Sequence, residues 1–183
     1  MPKIPKELQN VILQLPTKEK DKLLLRLIAK NELLTEQLYF QLLEDESDLK
    51  QKREEIKEKI TRSAKGYHES PGWMMMAMRD LNGLIAWHVK VTKDKYGEVE
   101  LTLFMLKSFF EYQEKHLQKF TSKSDTLALY VAKRSDFLVK KATKLHEDYH
   151  IEFDRDINQL LKWVHTLAPS FYATQLNIPK EWE

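Results

Sequence analysis

The chain has 183 residues, of which 42% are hydrophobic and 32% charged, and it contains no cysteine. A chain of this length buries roughly 70% of its unfolded surface, so we expect a core that needs neither disulfides nor a structural metal. The 30 basic and 28 acidic residues exclude the strong basic excess of a dedicated nucleic-acid-binding protein. The longest unbroken apolar run has six residues, whereas a membrane span needs about 20, and a lack of cysteine fits a reducing compartment. We therefore expect a cytoplasmic protein with no membrane segment.

Glycine and proline are rare and unevenly placed. The chain has four glycines and six prolines, and the stretch from Glu98 to Ala168 contains neither. In a helix interior glycine costs about 1 kcal/mol and proline about 3 kcal/mol relative to alanine, so this stretch favours helix. The sequence predicts an all-α protein of about eight helices, packed as antiparallel hairpins in a bundle or a short irregular stack. We expect a single domain over 1–183, with a division into 1–65 and 70–183 as the alternative.

Three helices are predicted in the N-terminal quarter of the chain. The first ends before Pro16, because proline interrupts helical hydrogen bonding. Thr17 is expected to cap the second helix, which runs to about Lys30, and Asn31 is expected to cap a third helix that continues to Glu44. Apolar residues leave this third helix little polar surface, so it is expected to be buried.

Helices four and five have different patterns. Helix four, 47–65, carries a thin apolar stripe among Lys, Arg and Glu residues, so we expect it to lie across the outside of the protein. Helix five begins with Ser70 as its N-cap and Pro71 in its first turn. We expect another helix backbone to approach closely at Gly83. His88, on the apolar face, is expected to be a core histidine with a hydrogen-bond partner.

The second half of the chain contains the most apolar helix. Helix six, from about Glu98 to Phe120, is apolar over so much of its circumference that it belongs at the centre of the bundle. The polar stretch 121–125 separates it from helix seven, and helix eight continues through the apolar residues that follow Tyr149. The tail from Pro169 is rich in aromatic residues, so we expect it to pack back on the body of the protein.

One short string matches a catalytic pattern. The string HEDYH, which begins at His146, fits H-E-x-x-H and over these five residues resembles the zincin metallopeptidases. The resemblance implies zinc ligation by His146 and His150, with Glu147 activating a metal-bound water; Asp154 is a further candidate ligand. No strand-like segment is present to build the sheet of those enzymes, and basic residues before the string with acidic residues after it favour a helix junction. We predict no cofactor and keep a metal-dependent hydrolase as an alternative function.

Two groups of basic residues could contact phosphates, one on helix four and one near the end of helix seven. Acidic residues lie among them and aromatic residues for base stacking do not, so we interpret both groups as solvated helix faces. A weak nucleic-acid-binding module is the second alternative function, and its affinity would fall steeply with salt. The basic residues are Lys50, Lys52, Arg53, Lys57, Lys133, Arg134, Lys140, Lys141 and Lys144.

A dense group of methionines opens helix five beside Trp73. Flexible, polarizable methionines are typical of adaptable protein-binding grooves. Two of the four methionines lie on the main apolar stripe and are expected to fill the core, whereas Met75 and Met76 lie off that stripe. The sequence therefore favours a non-enzymatic domain that binds another macromolecule, a protein. We predict a partner-binding surface that includes Trp73, Met75, Met76 and, from the aromatic tail, Trp182.

Overall fold

The computed structural model describes residues 4–182 and confirms the all-α fold. Within these residues the chain forms ten α-helices and one 3-10 turn, with no strand. Two compact units are present, Met1–Glu44 and Asp45–Glu183, which we call the N-terminal unit and the main unit. The division falls between the third and fourth helices, whereas the alternative boundary suggested by the sequence is the loop before Ser70.

Helices account for most of both units. In the N-terminal unit, α1 spans Lys6–Gln14, α2 spans Thr17–Ile28 and α3 spans Glu32–Leu43. The main unit contains α4 (Glu46–Lys65), α5 (Pro71–Thr92), α6 (Lys95–Tyr112), α7 (Glu114–Leu117), α8 (Asp125–Ala142), α9 (His150–Thr166) and α10 (Ser170–Gln175). The 3-10 turn Glu147–Tyr149 directly precedes α9.

Local hydrogen bonds connect the helices of the N-terminal unit. The Asn31 side chain accepts a hydrogen bond from the Leu34 amide, which confirms the predicted cap of α3. The prediction for Thr17 is wrong: it is the first helical residue of α2, and the N-cap position before it is Pro16. Proline holds the extended backbone that starts the helix but offers no side-chain acceptor. The Thr35 hydroxyl donates to the Ile28 carbonyl at 2.9 Å and joins α3 to the end of α2.

No residue of the N-terminal unit is buried between positions 4 and 44. The expectation that α3 is buried is therefore wrong, and Tyr39, Leu42 and Leu43 are exposed. The physical reason is size. About 40 residues is near the lower limit for a chain that encloses its own core, and three short helices cannot cover one another's apolar stripes.

α6 is the central helix of the main unit, as predicted. It packs against α4, α5, α8 and α9, and ten of its residues are buried, including Leu106 and Phe109. The flanking helices complete one continuous core with residues such as Ile60, Ile85 and Leu138. Because α6 is surrounded by other helices, apolar residues occupy most of its circumference, and this pattern made its central position predictable from the sequence.

α4 is attached to the core by its thin apolar stripe. Ile56, Ile60 and Ala64 are buried, while the other residues of the helix are exposed or half-buried. The helix begins with a capping box in which Asp45 and Asp48 each accept a hydrogen bond from the other's backbone N–H. It thus lies on the outside of the main unit, and its stripe still contributes to the core.

The glycine-free stretch is interrupted earlier than predicted. α6 ends at Tyr112, not near Phe120, because Gln113 leaves the helical conformation with φ −120° and ψ 34°. The Gln113 side-chain amide donates to the Ala64 and Gly66 carbonyls at 2.7 and 2.9 Å. It thereby satisfies acceptors at the C-terminal end of α4. A tertiary contact sets this helix end, and no local signal in the sequence indicates it.

The glycine that packing requires is Gly97, not Gly83. Nothing lies within 4 Å of the position that a Cβ would take on Gly83, so the close helix approach expected there is wrong. At Gly97, in the first turn of α6, a Cβ would overlap the Asp94 carboxylate and lie 3.1 Å from Arg53 Cδ. Glycine is needed here because Asp94 caps α6 by accepting a hydrogen bond from the Gly97 amide at 2.8 Å.

The C-terminal tail packs on α8 and α9, as expected from its aromatic content. Trp182 is buried, its backbone N–H donates to Asn158 Oδ1 at 2.8 Å, and its indole N–H donates to Thr143 Oγ1 at 3.2 Å. Asn158 also donates back to the Trp182 carbonyl. These hydrogen bonds hold the end of the described chain against the body of the main unit.

Candidate functional site

The HEDYH string lies at a junction between two helices. α8 ends at Ala142, His146 is extended with φ −64° and ψ 145°, and α9 begins at His150. Glu147 lies in the 3-10 turn between the two histidines. H-E-x-x-H brings both rings to one metal ion only when both histidines lie one turn apart on a continuous α-helix. The junction indicated by the surrounding charges is confirmed.

The candidate metal ligands of this segment also differ in exposure and in the residues that they contact. The His146 side chain is exposed, whereas the His150 ring packs against Trp182 with centroids 4.9 Å apart. Asp154 accepts a hydrogen bond from the Asn158 side chain at 2.8 Å. Across residues 4–182, no three His, Cys, Asp or Glu side chains are grouped so that they could hold a metal ion. The ligand set implied by the resemblance is therefore not assembled.

The basic residues of α4 pair with acidic residues of the main unit. Arg53 lies 3.0 Å from Asp94 and 3.2 Å from Glu100, and Lys57 lies 2.7 Å from Glu54 and 2.9 Å from Glu100. Burial lowers the pKa of Lys57, but the hydrogen bonds and negative charges of its two partners raise that pKa by more. The pKa of Lys57 is therefore above its ordinary value. Pairing of this kind weakens the positive potential that a nucleic-acid backbone would meet.

The basic residues of α8 have similar partners. Lys141 pairs with Glu98 at 2.8 Å, and Lys140 pairs with Asp136 on its own helix. The Arg134 guanidinium lies over the Phe137 ring, 4.2 Å from its centroid, and burial lowers its pKa. These contacts are typical of charged side chains that cover a helical core.

A buried charge network joins α4, α5 and α6. His88 is buried, as predicted, and its Nε2 lies 3.1 Å from Asp94 Oδ2. Asp94 also faces Arg53 and caps α6 through Gly97. Burial raises the pKa of Asp94, but hydrogen bonds from His88 and the Gly97 amide, together with the Arg53 charge, lower it below its ordinary value. The network fixes three helices relative to one another.

A groove of about 390 Å³ between α4, α6 and α9 contains many charged residues, and several of its polar groups pair with one another. Lys107 forms an ion pair with Asp156, and the Tyr96 hydroxyl donates to Glu152 at 2.8 Å. The Lys57 ammonium forms an ion pair with Glu100 in the same groove. Burial and the Glu152 hydrogen bond raise the pKa of Tyr96. We interpret the groove as an ion-paired helix interface.

A second groove contains two of the residues that the sequence predicted for a partner-binding surface, Trp73 and Met76. Tyr67, Trp73 and Met76 are 83%, 58% and 53% exposed and line a depression of about 420 Å³. The remaining residues of this groove, which we call the Trp73 groove, are His68, Glu69, Ala77 and Asp80. Three large apolar side chains are thus held together on the surface at the start of α5.

The Trp73 groove has a rigid floor and an acidic rim. His68 is buried, its Nε2 lies 2.9 Å from the Ser63 carbonyl, and its ring packs on Phe109. Ser70 caps α5 by accepting a hydrogen bond from the Trp73 amide, as predicted. Glu69 and Asp80 are exposed at the rim. A capped helix start holds the indole on a rigid element, which lowers the entropy lost when a partner binds.

The methionines of α5 separate between the core and the surface as predicted except for Met75, which does not line the Trp73 groove. Met74 and Met78 are fully buried and Met76 is exposed, while Met75 is half-buried against the core. Trp182 does not lie on an exposed surface, because its indole is buried against α8 and α9, and we leave it out of the candidate surface. Tyr67 was not predicted; its position in the loop just before the Ser70 cap is the signal that could have indicated it.

Another exposed aromatic cluster lies near α10. Phe120 and Phe171 are exposed with ring centroids 5.9 Å apart, and Tyr172 lies within 6.2 Å of both. The Tyr172 hydroxyl donates to Asp125, which ties the cluster to the start of α8. The cluster does not line either of the two grooves described above. It is therefore a weaker candidate than the Trp73 groove.

Comparison of the chain with known protein families, curated proteins and solved structures gives no match. Within the part of the chain that the structure describes, no helix is long and apolar enough to cross a membrane.

Proposed function

We propose that this protein binds another protein through the Trp73 groove. The observation that carries the proposal is the joint exposure of Tyr67, Trp73 and Met76 around one depression of about 420 Å³. Trp and Tyr are the side chains most enriched at the energetic centres of protein interfaces, and Met adapts to varied partner shapes. Among the described residues, no group of three His, Cys, Asp or Glu side chains that could hold a metal ion competes with this surface.

The rim of the groove indicates the chemistry of the partner. Glu69 and Asp80 are both exposed beside the aromatic side chains. The Lys115 ammonium lies 5.0 Å from the centre of the Tyr67 ring, so a cation of this chain already occupies one face of that ring. A segment with an apolar side chain for the depression and Lys or Arg residues for the acidic rim would be complementary. We therefore propose a partner with an apolar anchor next to basic residues.

The cytoplasm is the compartment that we propose for this interaction. The absence of cysteine supports it, because a protein in a reducing compartment gains nothing from disulfides.

Binding of a partner at the Trp73 groove also explains why a large indole remains on the surface. Burying an exposed side chain of this size against a partner is worth roughly 2 kcal/mol or more.

A peptide library tests the proposal directly. Random peptides displayed on phage are selected on the full-length protein, and the affinities of the enriched peptides are measured for the wild-type protein and for Trp73→Ala. We expect the selected peptides to combine an apolar residue with Lys or Arg, and Trp73→Ala to weaken binding at least about 10-fold, or about 1.4 kcal/mol. Asp80→Lys should weaken the same peptides through charge repulsion.

Phe171→Ala is the matched control, because Phe171 is an exposed aromatic residue outside the groove. It should leave the affinities of the selected peptides within about two-fold of wild type, since surface changes away from an interface are usually within 0.5 kcal/mol. Enriched peptides that bind wild type and Trp73→Ala equally well would refute the proposal. Failure to enrich any peptide with basic residues would refute the predicted partner chemistry.

A further inference from the structure

The N-terminal unit has an apolar surface that its own helices do not cover. Of the twenty large hydrophobic residues exposed within 4–182, ten lie in this unit, which holds only 41 of those residues. None of the 41 is buried. Folded units normally turn most of their Leu, Ile and Val residues inward. This concentration of exposed apolar side chains indicates a surface that is covered when the protein functions.

The exposed side chains are ordered along the helices. Leu8 and Val11 lie three positions apart on α1, and Ile4 is exposed just before that helix begins at Lys6. On α3, Tyr39 is followed at i+3 and i+4 by two exposed leucines. This spacing places the members of each set on one face of their helix, as in a helix that packs on a core. Three further exposed leucines, Leu24, Leu25 and Leu27, lie on α2.

The exposed apolar area matches what a stable dimer needs. A Leu-sized side chain carries on the order of 100 Å² of apolar surface, and ten such side chains, each half or more exposed, present roughly 600 Å². A standard interface buries about 800 Å² on each partner, a little over half of it apolar. The apolar area exposed across this unit is thus enough for one side of a standard interface.

The charge of the N-terminal unit favours a second copy as the occupant. Residues 4–44 contain six basic residues (five Lys and Arg26) and six acidic residues (five Glu and Asp21), so their net charge is zero. A surface without excess charge can meet its own copy without repulsion, whereas binding to an anionic lipid surface depends on excess positive charge. The chain has no cysteine, so a disulfide cannot stabilise this small unit; oligomerisation is the usual remaining means.

We propose that two copies of this chain associate through the apolar faces of α1, α2 and α3. The contact uses the same face of both copies, as in the two-fold dimers that most soluble homo-oligomers form. Pairing the two units doubles the number of helices around one core, which supplies the burial that a single unit lacks. This inference does not depend on the Trp73 groove, which belongs to the main unit.

Sedimentation equilibrium of the full-length protein tests the inference. The wild-type protein is measured from about 1 to about 100 µM, a range that covers common dissociation constants, and we expect a dimer that forms within it. Leu25→Glu and Leu42→Glu each place a charge in the proposed interface, and Leu42 is 75% exposed, so neither disturbs a core within its own unit. Both variants should sediment as monomers at every concentration, with wild-type helicity by circular dichroism.

Ile151→Glu is the matched control, because Ile151 is 84% exposed on α9 of the main unit. The Ile151→Glu variant should remain dimeric.

A second measurement does not depend on any variant. Amide hydrogen exchange of wild-type residues 6–43 should slow as the protein concentration rises, while exchange in the main unit stays constant. Protection in the main unit alone would contradict the proposal.

Other outcomes would overturn the inference in distinguishable ways. A wild-type monomer throughout the range would refute self-association, and a monomer that floats with phosphatidylglycerol vesicles would assign the apolar faces to a lipid surface instead. A dimer that survives Leu25→Glu and Leu42→Glu but is lost in Trp73→Ala would place the contact at the Trp73 groove. In that case the proposal that the Trp73 groove binds a different protein would also be wrong. A wild-type protein that is monomeric throughout the range would leave that proposal unaffected.

Discussion

Asp94 is the residue whose substitution tests most directly how the main unit is held together. Its carboxylate accepts a hydrogen bond from the Gly97 amide, faces the His88 ring at 3.1 Å and lies 3.0 Å from Arg53. The side chain is almost fully buried. Asp94→Asn keeps the shape and an oxygen for the Gly97 amide but removes the charge. Asp94→Ala removes the cap as well, so the two variants separate the charge from the cap.

The magnitude of the effect follows from these contacts. Removing one partner of a buried ion pair costs about 3–5 kcal/mol, but Arg53 keeps a second acid, Glu100, at 3.2 Å. We therefore expect Asp94→Asn to lower the free energy of unfolding of the main unit by about 2–4 kcal/mol. Loss of an N-cap costs about 1 kcal/mol more, so Asp94→Ala should be the less stable variant by that amount.

Urea denaturation followed by circular dichroism measures both values, and its pH dependence gives an independent check. The pKa of Asp94 is below its ordinary value in the folded protein, so the carboxylate stabilises the fold above about pH 4, the ordinary range of a free aspartate. That contribution is lost as the pH falls through the lower folded pKa. The difference between wild type and Asp94→Asn should therefore shrink below about pH 4.

Asp136→Asn is the control for this experiment. Asp136 pairs with Lys140, which is largely exposed, one turn away on α8, and pairs of this kind are worth 0–1 kcal/mol. If Asp94→Asn costs no more than Asp136→Asn, the network around Asp94 does not stabilise the main unit and our reasoning is wrong. A difference that persists unchanged at pH 3 would show that the effect of Asp94 does not come from its charge.

Three further predictions concern other parts of the main unit. Gln113→Ala removes both hydrogen bonds to the end of α4 and should lower the unfolding free energy by about 1–3 kcal/mol, measured by urea denaturation; no change would mean that water replaces the amide. Burial and the Glu152 hydrogen bond raise the pKa of Tyr96, and the pKa values of Tyr130 and Tyr172 are raised as well. The alkaline absorbance titration of the wild-type protein at about 295 nm should therefore lag behind that of free tyrosine, which titrates near pH 10, and Glu152→Gln should shift part of the curve towards lower pH. His146→Ala and Glu147→Gln should leave the melting temperature unchanged with and without a chelator, because their side chains lie in an exposed junction; stoichiometric zinc by elemental analysis, lost in His146→Ala, would contradict this.

The sequence predicted most of the architecture of the main unit because its helices follow strong local signals. The apolar circumference of α6, the Ser70 cap of α5 and the narrow stripe of α4 each have one physical interpretation. The end of α6 could not be predicted in this way. Gln113 leaves the helix for a contact with the Gly66 carbonyl, 47 positions earlier in the chain, and nothing in the neighbourhood of Gln113 encodes that partner.

The candidate site was only partly predictable for a similar reason. Helical spacing separated Met76 from the core methionines, because periodicity reports which face of a helix is buried. It could not indicate that Tyr67 lies beside Trp73, since loop residues have no periodicity. Trp182 was assigned to the surface from composition, yet hydrogen bonds to Asn158 and Thr143 hold it in the core. For α3, the pattern identified an apolar helix but not whether anything in the same unit covers it.

The two proposed surfaces differ in the kind of partner that each can accept. The Trp73 groove has an acidic rim, so pairing it with its own copy would bring Glu69 and Asp80 towards identical acids, and like charges across an interface oppose association. The apolar faces of the N-terminal unit belong to a segment with six basic and six acidic residues, where pairing with a copy brings no such penalty. Charge therefore favours a different protein in the groove and a second copy at the N-terminal unit. A dimer joined through the N-terminal units would carry two Trp73 grooves, and its partner would gain avidity if it contained two basic, apolar segments that can reach both grooves at once.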